Sequence, residues 1–357
     1  MLSLSILLIT IIANPIEMIT EITYEAPDHD TYFLQDPRAF DLDSDGNMYL
    51  LDGEAQVLFS WDKTGAFRKI IGKPGQGPGE FTFTGHGSAT GFVYSLGDKL
   101  YVFDGFKQSV LIFDKDGHFI GSPNLNLPRS RTQSFVVLDA DRFLLTYRRF
   151  KDDKLVQVTK EIDQNGNDIK IYTEKQDDAI TFKGGKPGQK SGSRPTGMIV
   201  KAYNPKLVVG YNADNGNLAI GHSKDLSIKI YDRKGHMRQM QLAIPQRDVT
   251  DFDKSELEES RSKGRSGFVQ FVFSEKMPYY MKLVPLKDGK ILAYHETPFS
   301  HKIDGTVFDN QGAPVGKVKM ECGEGGGLLT ARGKLLRCSL NEDDEFELTL
   351  LSLGKIQ

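Results

Sequence analysis

Residues 39–51 read AFDLDSDGNMYLL, and residues 59–65 read FSWDKTG. The first is an apolar stretch, a tight Asp/Gly/Asn turn and a second apolar stretch. The second ends another apolar stretch in Asp-x-x-Gly. An Asp side chain caps a tight turn and Gly accepts positive φ without steric penalty, so each segment predicts a hairpin. Together they predict four antiparallel strands in the first third of the chain.

The unit recurs. Copies of the first feature lie at 92–103 (FVYSLGDKLYVF), 135–146 (FVVLDADRFLLT), 207–220 (LVVGYNADNGNLAI), 282–293 (KLVPLKDGKILA) and, degenerately, 328–337 (LLTARGKLLR). The second feature follows the first five copies and ends at Gly65, Gly117, Gly166, Gly235 and Gly312. Four-stranded units with a core period of roughly 40–50 residues match propeller blades, which stack radially because one twisted sheet cannot bury both of its faces alone. The wider spacing before Gly235 and Gly312 places insertions in the fourth and fifth units. The fold class is therefore all-β, a six-bladed β-propeller over residues 21–357. The segment 21–26 is expected to pair in the last blade, beside residues 346–351, so that neither exposes a long edge. A charged segment, 251–264, reads as a short helical insertion.

The pentapeptide GKPGQ occurs at 72–76 and again at 185–189. Neither copy has the spacing of a phosphate-binding loop, and both contain a proline that removes a backbone donor. Both read as connectors between blades.

At 357 residues, 39% hydrophobic and a formal charge of -3, the chain can bury a large core and carries no excess positive charge for nucleic acid. Residues 1–13, MLSLSILLITIIA, are apolar but too few to cross a bilayer, which takes about 20 residues. They read as the core of a signal peptide within a leader of residues 1–20, so the expected location is secreted or periplasmic, with no membrane span in the mature chain. A monomer is expected. Cys322 and Cys338 are the only cysteines; an oxidising compartment would allow them to pair.

The pattern D-x-D-G-N-x-Y-x-x-D at 43–52, V-x-F/W-x-D-x-x-G after it and G-x-x-G-x-G-P-G-E-F at 72–81 resemble the NHL repeat of six-bladed propellers, including exported bacterial proteins of unassigned function. The resemblance implies a binding or scaffolding module. Some related propellers are enzymes that use central histidines with a metal, or a calcium ion at the inner-strand mouths, so it also implies an alternative, a metal-dependent lyase or hydrolase. For that alternative, His86, His222 and His295 fall in three different blades and could hold zinc with one position open. No nucleophile elbow is visible.

Strand order sorts the connections. Turns between a blade's first and second strands, and between its third and fourth, lie on one face. Links between strands two and three, and between blades, lie on the other. The links are longer and more varied, which is where a rigid scaffold carries binding residues. Arg129, Arg131, Arg148, Arg149, Lys186 and Arg194 are placed there and could bind an anionic small molecule or an acidic protein partner. Asp41, Asp43, Asp45 and Asp52 match part of an EF-hand loop, an alternative site for calcium. The apolar, β-like run that follows and the lack of flanking helices favour a hairpin instead, so the primary expectation is no cofactor.

Overall fold

A computed structural model describes residues 14–83, 91–125, 127, 132–152, 154–183, 197–262, 269–295, 302–323 and 326–355. Each of six sheets has four strands in antiparallel order. Blade one is Pro37–Leu42, Met48–Asp52, Val57–Trp61 and Phe67–Ile71. Blades two to five repeat this order from first strands Gly91–Leu96, Thr132–Asp139, Leu207–Asn212 and Lys282–Pro285. In blade six, Gly327–Ala331, Lys334–Leu340 and Phe346–Leu353 are joined by Met18–Tyr24, which pairs antiparallel with the last strand from Met18 opposite Leu353 to Tyr24 opposite Leu348. This is the six-bladed β-propeller that the repeat predicts. The ladder begins at Met18, inside the stretch read as leader; residues 1–13 lie outside the described residues.

Strand alternation shows why the blades stack. Successive side chains of a strand point to opposite faces of the sheet, so a blade buried on both sides needs unbroken apolar strands. In blade one, Met48, Leu50, Phe59 and Trp61 pack against Leu336, Leu348 and Leu350 of blade six. Tyr49, Leu51, Leu58 and Ile71 pack against Val93, Val102 and Phe113 of blade two. Trp61 is fully buried, lies edge-on to Tyr24 of the N-terminal strand at 5.8 Å and donates its indole N–H to the Glu25 carbonyl.

The Asp-x-x-Gly motif has a double physical reason. Asp163 accepts N–H bonds from Asn165 and Asn167 through one carboxylate oxygen, which folds the turn. Gly166 has φ 81°, and a Cβ there would lie 2.0 Å from the Leu125 carbonyl oxygen. Gly65 and Gly312 likewise abut the carbonyls of Thr23 and Gln241 in the outer strands of neighbouring blades. The sixth blade has the same turn with Asn341 in place of Asp and Asp344, at φ 61°, in place of Gly.

The first GKPGQ segment connects blades one and two: Lys73–Pro74 pairs parallel with Glu80–Phe81. The second copy, 185–189, lies outside the described residues. The two long insertions meet. Ile180–Lys183, Gly197–Ala202 and Val269–Phe273 form a three-stranded accessory sheet, whose parallel pair joins the segment before blade four to the segment after it. The helix spans Asp251–Ser262. Thr250 and Asp253 form a reciprocal capping box at its start, and Tyr203 beside the accessory sheet donates its hydroxyl to the Asp253 carbonyl. Cys322 and Cys338 are both buried free thiols, and burial pushes the Cys338 thiol up to about 12.

Candidate functional site: the central channel

The first strands of all six blades line a central channel with a cavity of about 170 Å³. Each of these strands starts at the link face and ends at a hairpin turn, so residues early in the strand mark one mouth and late residues the other.

At the turn end the channel is crossed by Arg332. With Gly333 it forms the hairpin turn of blade six, both residues at positive φ (51° and 73°), as a type I′ turn requires. Its Nε donates to Asp41 Oδ1 at 2.8 Å and its Nη2 to Asp41 Oδ2 at 3.1 Å, both in blade one. Its Nη1 reaches Asp214 Oδ1 of blade four at 2.8 Å, and Nη2 also donates to the Ser95 carbonyl of blade two. Asp41 in turn accepts the Ser95 N–H at 2.7 Å. The side chains of Arg332 and Asp41 are 13% and 3% exposed, so the pair is shielded from water. Burial opposes the Arg332 charge, but Asp41 and Asp214 outweigh it and hold the guanidinium charged. Burial raises the Asp41 pKa despite Arg332, so losing that partner would leave a carboxylate that disfavours its own charge.

The link end has a different chemistry. Arg38 pairs with Asp36 and lies over Gly53, where a Cβ would fall 1.9 Å from Nε. Lys282 lines the cavity at the first position of its strand. Burial, then the positive charge of nearby Lys206, lowers its pKa to about 8. Lys206 precedes strand Leu207–Asn212, and burial and Arg148 lower its pKa in turn. No carboxylate pairs with either lysine among the described residues, whereas the surrounding charges are matched.

Arg148 is one of the matched charges. It is bonded to Asp177, whose side chain is fully buried and also accepts from Gln157 Nε2 and the Ala179 N–H. Gln157 accepts the Leu207 N–H of blade four at 2.6 Å, which ties the cluster to the next blade. Arg149 pairs with Glu174 at 2.6 Å, as does Lys151. The placement of Arg148 and Arg149 together on a link is therefore corrected. Both lie in the ten-residue strand Arg142–Lys151, so adjacent side chains point to opposite faces, and each already has a carboxylate partner. Arg129, Arg131, Lys186 and Arg194 lie outside the described residues.

The histidine set is also only partly described. His86 lies outside the described residues. His295 has both ring nitrogens engaged, Nδ1 with the Tyr279 carbonyl at 3.1 Å and Nε2 with Thr306 Oγ1 at 2.8 Å. His222 accepts a long bond from the Lys224 N–H, and burial lowers its pKa while Asp225 acts against that. Among the described residues no three His, Cys, Asp or Glu side chains converge on a point that could hold a metal.

The four aspartates likewise do not form one loop. Asp52 sits opposite Pro37 in the strand register, four residues from Asp41, about 13 Å along the strand. Its oxygens accept the N–H groups of Gln35, Asp36, Glu54 and Ala55. Asp104 does the same work in blade two for Thr82, Phe106 and Lys107. Asp43 accepts from Asp45 and Asn47 in its hairpin and pairs with Lys115, near which Asp45 also lies.

Sequence reasoning missed Arg332, Lys206 and Lys282. The available signals were slight: an Arg-Gly pair in a degenerate repeat, and a lysine where the other first strands begin with an uncharged residue.

Six radial four-stranded blades around a channel, with one mouth bridged by an ion-pair network, define a six-bladed β-propeller. Residues 42–207 match the family model DUF5128, a 6-bladed beta-propeller. Two solved structures share the fold over nearly the whole chain. One, described as an exported protein of Bacteroides fragilis, is 14% identical with a TM-score of 0.57, covering 95% of this chain and 96% of its own. The other, a member of the DUF4221 family from Bacteroides vulgatus, is 13% identical with a TM-score of 0.56, covering 96% and 99%. A virginiamycin B lyase from Staphylococcus aureus is 11% identical over 93% of this chain and 88% of its own, but its TM-score of 0.40 carries no argument about chemistry. No curated relative matches the chain.

Proposed function

We propose that the chain is a binding module of the secreted or periplasmic space that takes a ligand or the tip of a protein partner into its channel from the link face. The observation that carries this reading is the asymmetry of the channel. Arg332 bridges three other blades across the turn end, while the link end presents half-buried lysines with no carboxylate partner among the described residues. An unpaired charge partly withdrawn from water is unfavourable for folding, so a site that keeps one points to a role in binding. The extracytoplasmic setting is proposed from the fold likeness to the exported Bacteroides protein. Among the described residues no helix is long and apolar enough to cross a membrane.

Native mass spectrometry of the protein isolated from its own host tests this. Ser134, which lines the channel, is replaced in Ser134→Trp to fill it, and the exposed turn-face residue Asp116 is replaced in Asp116→Trp as the control. A bound molecule lost from the first variant and retained by the second, both melting near the wild-type temperature, supports the reading. Retention by Ser134→Trp, or wild-type protein without any bound molecule, contradicts it.

A further inference from the structure

We propose that the link half of the channel is a site for the anionic head group, carboxylate or phosphate, of a small organic acid held by Lys282, with Lys206 adding a second positive charge toward the mouth. The inference rests on the reading above that ligands enter from the link face, and it names their chemistry.

Three observations lead to it. Lys282 lines the cavity itself, which puts it within reach of a ligand lodged there. The other charges around it are already balanced: Arg38 by Asp36, Arg332 by Asp41 and Asp214, Arg148 by Asp177. Among the described residues around the cavity, the charges left without an opposite partner are Lys282 and Lys206, and they are positive. The walls between are apolar or neutral, with Phe92, Val209 and Leu329 among them, so an anion would be screened little by water and would bind more strongly than on the open surface.

Size narrows the class further. A cavity of about 170 Å³ is smaller than the roughly 300–1,000 Å³ of sites for drug-sized molecules. It suits a small acid, or the acidic end of a longer ligand whose remainder lies in the mouth. At the far end the guanidinium of Arg332 is neutralised by Asp41 and Asp214 and spans the channel, so the head group stops at Lys282 rather than passing through. Lowered amine pKa values agree with this geometry: burial disfavours both ammonium charges, with Lys206 adding to the effect on Lys282 and Arg148 to that on Lys206, so both gain from an anion placed beside them.

The probes are succinate, inorganic phosphate and the neutral succinamide, titrated by calorimetry into the full chain and into Lys282→Met. Binding of at least one anion, weakened about tenfold or more in the variant as expected for loss of a charged hydrogen bond, and no binding of succinamide, support the inference. Relative affinities of succinate and phosphate identify the head group. Equal affinity in Lys282→Met, succinamide binding as well as succinate, or no binding of either anion to wild type overturns it. A second measurement does not depend on the variant folding: acylation of Lys282 in the wild-type protein, followed by peptide mass mapping, should slow severalfold when the binding anion is present. Unchanged labelling overturns the inference. Anion binding that survives Lys282→Met but is lost in Ser134→Trp would refute the lysine site alone, whereas anion binding that survives Ser134→Trp would refute entry through the channel.

Discussion

Replacing Lys282 by Met should make the empty protein more stable at neutral pH. The two side chains are similar in length and Met keeps the apolar stem, so the change removes the ammonium and little else. Burial and Lys206 lower the Lys282 pKa from 10.5 to about 8 in the folded chain. At about 1.4 kcal/mol per pKa unit, the charged amine disfavours the fold by on the order of 3 kcal/mol, and by about 1–3 kcal/mol after allowing for solvation within the channel. The sign is fixed by linkage. Between pH 8 and 10.5 the unfolded chain holds the proton and the folded chain does not, so this group's contribution to stability rises with pH across that window. Below pH 8 both states are protonated and the penalty is complete. Urea unfolding of wild type and Lys282→Met at pH 7 and pH 10 measures it: the variant should be more stable at pH 7, with a gap that narrows toward pH 10. A variant no more stable than wild type at pH 7, or a gap independent of pH, would refute the assignment of Lys282 as an uncompensated, partly buried charge.

Arg332→Leu should lose about 3–5 kcal/mol in urea unfolding, because Asp41 would be left buried without its partner; the double variant Arg332→Met with Asp41→Leu should recover much of the loss. Gly166→Ala should lower the melting temperature distinctly more than Gly235→Ala: both glycines have positive φ, but a methyl at 166 meets the Leu125 carbonyl while one at 235 meets open space. Arg148→Glu should destabilise the fold by several kcal/mol, since it opposes the buried Asp177, whereas Arg149→Glu should shift stability by about 1 kcal/mol or less at an exposed pair with Glu174. Equal effects of these two substitutions would show that the Arg148 pairing is not structural.

The fold was legible in the sequence because its repeating turn has strict requirements. An Asp that folds the hairpin and a Gly that both takes positive φ and meets a neighbouring blade leave few alternatives, so Gly65, Gly166 and Gly312 mark the outer hairpin of their blades in the sequence. The sixth copy escaped because Asn341 can replace the capping Asp and Asp344 can adopt the left-handed conformation at a small penalty. The accessory sheet was illegible for another reason: Gly197–Ala202 and Val269–Phe273 pair across the whole of blade four, and local patterns carry no information about a partner so distant. Site residues were harder still. Arg148 and Arg149 look like an exposed basic pair in the sequence, and only the length of their strand and the positions of Asp177 and Glu174 show them to be engaged. Conversely, the isolation of Lys282 is a property of what does not surround it in space, which no motif encodes.

The most direct test of the channel site is an anomalous difference map from crystals of the full chain soaked in 2-bromosuccinate. The account predicts a bromine peak inside the channel, with a carboxylate against Lys282 and the Arg332–Asp41 bridge intact beyond it. An empty channel with bromine only on the outer surface, or a ligand lodged from the turn end against Arg332, would contradict it.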